Sequence, residues 1–426
     1  MGDRKLLIFA ARKFRIVLVF VLLSLLPISA VSARLDGNDR ILVWTASVAI
    51  PGTQPANVPG SLATIDEDGN LVTMMDVPEQ SSRVEACGIE AWSPDHSRLA
   101  MFMGNEVSPR GGGLYMKHGS DTPELIDEIH LLGCWGGSGR LRYAPDGNRF
   151  AYISYETNAQ LGTFADGELT IRRVNNNYDV EATFTDVVAF DITDSGVAFV
   201  TFLVNQFQQA DEIVLNWWED GDNEDEVISL RASEGCEFIS GYVKRGPDDF
   251  YWLALAERCS STEWQLFRIE PDGSNALLAM QITPPGAVRT TSEVNNIIFS
   301  KNGNHFFYTL PDGLGNNRVS LNRVAVDDLF APKTVIEQAV VMPGFALSKA
   351  AFATFSPDGN RMALPTNTPS GESALYVIDF NRPTATPTMI TDFARNEVIS
   401  FLQFTPNSRR IVYVAGGTDG GDNAIY

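Results

Sequence analysis

Histidine is scarce in this chain. His96, His118, His130 and His305 are the four copies in 426 residues. His96 and His305 fall among polar turn formers and His118 in a Gly-flanked loop, so each reads as a structural residue. Cysteine is as rare, with four copies and no Cys-x-x-Cys spacing. That leaves little material for a zinc centre. The Gly-x-Ser-x-Gly elbow of the α/β-hydrolases is missing; Gly136-Gly137-Ser138-Gly139-Arg140 comes nearest but ends in Arg, with no helical pattern behind it. No helical segment could carry a hydrolase domain, and no cofactor motif appears. Positive charge is short as well, at 32 Lys and Arg against 53 Asp and Glu, a formal net charge of −21. Such a surface repels phosphate backbones and excludes nucleic acid as an expected partner.

Long apolar runs are confined to the N-terminus. Arg4, Lys5, Arg12, Lys13 and Arg15 form a basic stretch ahead of the apolar run Ile16 to Leu26, and Val31-Ser32-Ala33 supplies small residues. This is the pattern of a secretory signal peptide over 1–33, cleaved after Ala33. The alternative is an uncleaved membrane anchor, for which the run is short of the roughly 20 residues a bilayer needs. The expected mature chain, 34–426, is one domain without a membrane span, more acidic still, and extracytoplasmic (periplasmic or secreted).

What the chain has in quantity is a repeated turn. Ser93-Pro94-Asp95-His96-Ser97-Arg98, Ala144-Pro145-Asp146-Gly147-Asn148-Arg149 and Ser356-Pro357-Asp358-Gly359-Asn360-Arg361 each separate two short apolar stretches. Degenerate copies occur at Thr193-Asp194-Ser195-Gly196, Gly246-Pro247-Asp248-Asp249, Lys301-Asn302-Gly303-Asn304 and Thr405-Pro406-Asn407-Ser408. Pro presets φ near −65°, Asp or Asn bonds the nearby backbone, and Gly accepts positive φ, which closes a hairpin. The residues following each turn, Ala100, Ala151, Ala198, Tyr251, Phe307, Ala363 and Val412, recur at intervals of 47 to 56 residues. A second apolar string follows each copy, among them Leu114-Tyr115-Met116, Leu169-Thr170-Ile171, Ile213-Val214-Leu215, Leu266-Phe267-Arg268-Ile269 and Leu375-Tyr376-Val377-Ile378. Several lead through another turn into a fourth string. Four strands per repeat at this period predict an all-β fold, a β-propeller of four-stranded antiparallel blades. Seven blades closed by strands from both termini are expected, with eight or six as alternatives.

The Ser-Pro-Asp-Gly-Asn-Arg-Met-Ala string from Ser356 and the Leu-Phe-Arg-Ile-Glu-Pro-Asp-Gly-Ser-Asn string from Leu266 resemble the TolB-like, WD-repeat-like β-propellers, over nearly all of the chain after about residue 40. The resemblance implies the fold. It leaves function open, because such propellers serve as periplasmic binding proteins, as halves of prolyl-peptidase-type enzymes and as lyases.

The remaining signals concern single sites. The repeat places Cys236 before a first strand and Cys259 after its partner, and Cys87 and Cys134 in first strands of neighbouring blades. The expected disulfides are Cys87–Cys134 and Cys236–Cys259, with metal ligation as the rival. Asp95/Arg98, Asp146/Arg149 and Asp358/Arg361 share a spacing of three, read as structural pairs that brace the turns or link blades. Asp220, Asp222 and Glu224 imitate the start of a calcium loop, but Asp225 stands where Gly is needed and Arg231 where Glu is needed. An exposed loop is the plainer reading. Trp135, Trp217 and Trp218 are candidates for sugar or peptide binding at a propeller mouth, against packing between blades. No catalytic residue can be assigned. The expectation is a monomeric binding or scaffold protein for a protein or peptide partner, more so than an enzyme; the alternatives are a lyase or hydrolase acting on polysaccharide or peptide, and a calcium-dependent binding module.

Overall fold

A computed structural model describes residues 33–35, 41–45, 61–65, 71–76, 90–95, 97–104, 111–118, 123–130, 141–155, 167–175, 177–205, 209–219, 221, 224–246, 249–260, 262–281, 298–300, 304–311, 318–326, 333–340, 354–356, 358–367, 373–381, 387–392, 397–404, 408–417 and 424–425. Every element in them is a β-strand, and every pairing is antiparallel. The strands run up and down in consecutive groups. The first group is β1–β4 (Ala33–Leu35, Ile41–Thr45, Ser61–Ile65, Leu71–Asp76). The second is β5–β8 (Glu90–Trp92, Arg98–Gly104, Gly111–His118, Glu124–His130). The third is β9–β12 (Leu141–Tyr143, Arg149–Tyr155, Gly167–Arg173, Val180–Phe184). The fourth is β13–β16 (Val187–Ile192, Gly196–Val204, Ala210–Glu219, Asp225–Arg231). The fifth is β17–β20 (Glu237–Arg245, Tyr251–Arg258, Thr262–Ile269, Ala276–Gln281). The sixth, β21–β24 (Ile298–Phe299, His305–Pro311, Arg318–Ala325, Lys333–Val340), meets the seventh, β25–β28 (Thr354–Phe355, Arg361–Asn367, Ser373–Asp379, Thr388–Asp392), through one bridge, Val340 to Asn367. The last group has three strands, β29–β31 (Glu397–Phe404, Ile411–Gly417, Ala424–Ile425).

The seven marker residues after the turns all fall in second strands, and the strings that follow them fall in third strands. The ends differ from expectation. The N-terminal four strands pair among themselves and so do the C-terminal three; among the described residues no sheet mixes strands from both ends. The reason is β1, a first strand whose sequence signal is weak. It pairs Ala33 with Val43 and Leu35 with Ile41. The sequence between β1 and β2, Asp36-Gly37-Asn38-Asp39-Arg40, has the Asp, Gly and Asn of the repeated motif without its Pro. It abuts the apolar N-terminal stretch, which obscures it. β1 lies beside β29 of the last group.

The core lies between groups, not within them. Alternate side chains of a strand point to opposite faces. In β18, Tyr251, Leu253 and Leu255 pack against the fourth group, while Trp252, Ala254 and Ala256 pack against the sixth. In β14, Ala198, Val200 and Phe202 face the fifth group, and Val197 and Phe199 face the third. Both faces are therefore buried, which explains continuous apolar runs such as Gly196-Val197-Ala198-Phe199-Val200 in place of a polar–apolar alternation. A fully buried side chain of this size contributes about 1.5–3 kcal/mol.

The turns between first and second strands are closed by their carboxylates. The Ser93 hydroxyl lies 2.6 Å from Asp95, whose carboxylate also accepts the Ser97 amide at 3.1 Å and its hydroxyl at 2.8 Å. Asp358 repeats this with Ser356 at 2.5 Å and the Asn360 amide at 3.1 Å, and Asp146 accepts from the Asn148 amide at 2.9 Å and side chain at 2.8 Å. The carboxylates thus engage serine, asparagine and backbone groups, while Arg149 pairs with Glu181 at 3.1 Å. Links between groups come from the Asp amides. Asp146 N–H donates to Asp194 in the next turn at 2.7 Å, and Asp358 N–H to Ser408 in its next turn at 3.1 Å. Gly147 and Gly359 hold φ of 74° and 73°. Asp249 and Ser408 stand in the equivalent place of two degenerate turns and adopt the same region, at 63° and 61°.

These bonds set an acid response. The Ser93 hydroxyl, then the Ser97 amide and hydroxyl, hold the Asp95 carboxyl down at about 2, and Ser356 with Asn360 lowers Asp358. A carboxyl lowered in the folded state stabilises it above the unfolded value of 3.8, and that stabilisation fades as pH falls toward 2. The Asp95→Asn/Asp358→Asn variant should therefore show a flatter fall in urea midpoint between about pH 4 and pH 2. An acid limb identical to that of the parent protein would contradict this account of the turns.

A third regularity has no local signature in the sequence. In seven groups the fourth strand carries a β-bulge against the third. The register slips beside Leu62, Leu114, Ile171, Leu215, Leu266, Leu321 and Leu375. The opposing residue is Leu or Ile each time. Among the described residues, no helix is long and apolar enough to cross a membrane.

Candidate functional site

First strands of consecutive groups lie side by side, β13 against β17 and β5 against β9. Their register places equivalent residues at one height. Arg142 faces the marker Ala151, Asp191 faces Ala198 and Arg245 faces Tyr251. Asp191 is the hub. Its side chain is 2% exposed and accepts hydrogen bonds from Arg142 Nη1 at 3.1 Å, Lys244 Nζ at 2.9 Å and the Arg245 amide at 2.9 Å. One carboxylate thus ties together the third, fourth and fifth groups. Burial of an ion is tolerated when it is paired and hydrogen-bonded on this scale. Two cations meet one anion, so the cluster keeps a surplus positive charge inside a chain of net charge −21. Arg142 and Lys244 leave 38% and 27% of their side chains exposed. The guanidinium of Arg142 also sits 5.8 Å from the centre of the Phe190 ring, which fixes its orientation. The arrangement can hold a carboxylate or a similar anion.

Sequence motifs alone do not single out these three residues, yet a signal is present. Arg142, Asp191 and Lys244 interrupt the apolar first-strand strings at nearly the same offset before each marker. The more conspicuous loops draw attention away from it.

Trp217 and Trp218 are buried. Trp217 packs in the core between the fourth and fifth groups, 4.1 Å under the Arg245 guanidinium, and donates its indole N–H to Glu219 at 2.9 Å. Trp218 packs against the third group, with Arg149 over its ring at 5.7 Å. Both indoles are committed to packing and leave no open ring face for a ligand. Trp135, Cys87 and Cys134 lie outside the described residues, as do Asp220 and Asp222. Glu224 is exposed just ahead of β16, and partial burial raises its carboxyl above the ordinary value.

Cys236 and Cys259 form a disulfide, with Cα atoms 4.4 Å apart. The pair Glu237 to Arg258 is the last in the β17–β18 ladder, so the two cysteines face one another one step beyond it. The buried Glu257 carboxylate lies within 4.8 Å of both sulfurs. Bonded to each other, the sulfurs do not act as thiolate ligands, and Glu257 instead accepts the Ser233 amide.

A second polar cluster joins the second and third groups. Tyr152 donates to Asp127, and Arg172 donates to Asp127 at 2.9 Å, to the Tyr152 hydroxyl at 3.1 Å and to the Tyr178 carbonyl at 2.9 Å. Burial pushes the Tyr152 phenol up, with the Asp127 charge adding to it. The phenol stays protonated and the cluster ties the two sheets together. His118 ends β7 instead of lying in a loop, and His305 opens β22 stacked on Phe380 at 5.0 Å between centroids.

No family model matches the chain, and no curated protein matches it. Solved structures do. Prolyl oligopeptidase B from Galerina marginata aligns with a TM-score of 0.46 and 9% identity, over 79% of this chain and 49% of that one. The chain therefore spans about half the length of that oligopeptidase. A putative 6-phosphogluconolactonase from Bacteroides fragilis aligns with a TM-score of 0.42 and 12% identity, over 77% and 94% of the two chains. An oligogalacturonate lyase in complex with manganese gives 0.44 and 11%, over 93% and 95%. The repeated four-stranded antiparallel sheets of the chain itself are consistent with a propeller.

Proposed function

We propose that this chain is an extracytoplasmic, TolB-like β-propeller of eight blades that binds a protein or peptide partner through carboxylate groups. The observation that carries the proposal is the Arg142–Asp191–Lys244 cluster, where side chains from three first strands converge and two cations remain accessible. Eight blades accord with the eight strand groups, and a closed ring with β1 lying beside β29. Export accords with the basic and apolar leader over 1–33; cleavage after Ala33 trims the first residue of β1 and leaves a single domain, 34–426, that acts as a monomer. The net charge of −21 repels acidic partners at long range. Recognition is therefore local, by hydrogen bonds from Arg142 and Lys244 to carboxylates that dock against them.

Fluorescence anisotropy with labelled oligoglutamate, oligolysine and uncharged peptides tests this directly. The acidic peptide should bind best, and Arg142→Gln/Lys244→Gln should weaken it at least about tenfold, the equivalent of about 1.4 kcal/mol. Equal binding of all three peptides would remove the basis for the proposal. Turnover of a peptide or polysaccharide by the intact protein would establish the enzymatic alternative in its place.

A further inference from the structure

One position in the repeat breaks its own rule. The third-strand residue opposite the marker is Met116, Ile171, Trp217, Ile269 and Val377 in five groups, an apolar column that packs between neighbouring sheets, and in the first group Ala63, opposite Val43, is apolar as well. In the sixth group it is Arg323, opposite Phe307. Arg323 is 9% exposed. Its register partner Phe307 packs against Phe355, Met362 and Phe380 of the seventh group, so Arg323 lies on the face between the sixth and seventh groups. Among the described residues no carboxylate pairs with it. Burial alone pulls the guanidinium down from its ordinary value.

The fourth-strand position is anomalous too. The residue opposite this column is Thr73, Glu124, Ala182, Asp225, Ala276 or Thr388 in the other groups, and Lys333 here. Directly opposed residues of paired strands stand about 4.5–5.5 Å apart at Cβ, and like charges there repel. A buried cation is costly unless an anion neutralises it. We propose that Arg323 forms a binding subsite for an oxyanion, the phosphate or carboxylate group of a small molecule, at the junction of the sixth and seventh groups. The fork of Arg323 donates two parallel hydrogen bonds to the two oxygens of such a group, which a lysine at the same place would not do. The site is separate from the Asp191 cluster and independent of the function proposed above.

Thermal unfolding of the full chain, titrated separately with inorganic phosphate and with succinate at constant ionic strength against chloride, provides the test. A saturable rise in Tm is expected with at least one of them, and which one acts identifies the oxyanion. Arg323→Gln should weaken the apparent affinity about tenfold or more, and Arg323→Lys less. In anion-free buffer Arg323→Met should raise Tm, because it restores the apolar column and removes an uncompensated charge. A parent protein indifferent to both anions would overturn the proposal, as would an equal response of Arg323→Gln. So would a lower Tm for Arg323→Met in anion-free buffer, the mark of a guanidinium already paired internally, for which Asp327 and Asp328 in the β23–β24 connection are the nearest acidic residues in sequence.

Discussion

Substituting alanine at Gly273 is expected to lower the unfolding free energy by more than about 3 kcal/mol, the range reserved for changes with a specific structural cause. Gly273 closes the turn between β19 and β20, with its amide 2.9 Å from the Glu270 carbonyl and φ at 68°. The left-handed backbone alone costs an alanine about 1–2 kcal/mol. The greater obstacle is steric. A methyl group there would stand 1.8 Å from the Val227 carbonyl oxygen and 2.8 Å from its carbon, in the bulged β16 of the neighbouring group. Those atoms are backbone and cannot rotate away, so the fourth and fifth groups must separate. Gly235 is the control. It holds φ of 77° with nothing within 4 Å of such a methyl, and Gly235→Ala should show only the backbone cost, about 1–2 kcal/mol. Urea denaturation of both variants decides the matter. Equal losses would mean that the turn does not abut Val227 as described.

Removing the disulfide is the second large change. Cys236 and Cys259 are separated by 23 residues, and closing a loop of that size restrains the unfolded chain by about 3 kcal/mol. Cys236→Ser/Cys259→Ser should lower the stability by about that amount. The loss should concentrate at one end of the β17–β18 ladder, where Arg258 and Glu237 pair. Hydrogen exchange should therefore quicken first near Glu237 and Arg258, and later near Arg245 and Tyr251 at the far end. Unchanged stability in the double variant would show that strand pairing already restrains this hairpin.

Much of the architecture is written locally. Pro, Asp and Gly specify the turns, and the apolar strings on either side specify the strands, because both signals act within a few residues. β1 escapes because the sequence after it lacks Pro and the strand adjoins the apolar N-terminal stretch. The hub at Asp191 is legible only in part. The sequence shows a charge in an apolar string but not that strands about 50 residues apart bring Arg142 and Lys244 to it. Trp217 and Trp218 illustrate the converse: an aromatic pair beside an acidic loop suggests a binding mouth, yet period-two alternation sends one indole to each neighbouring sheet. Arg323 becomes conspicuous only once the register supplies the column it interrupts.

The bulged fourth strands bear on how this protein behaves at high concentration. Leu125, Val180, Leu277, Leu278, Met389 and Ile390 all lie exposed on these outermost strands, beside backbone groups with no further strand to meet. Straight, regular edges of that composition would template one another across molecules. An extra residue in each outer strand breaks the regular spacing that a partner strand would have to match. The bulges are therefore expected to keep these apolar edges from growing into fibres, so that colloidal stability would rest on backbone geometry as well as on the acidic charge. A change that deleted an exposed bulge residue such as Ile390 would straighten that edge and should invite association while leaving the buried clusters in place.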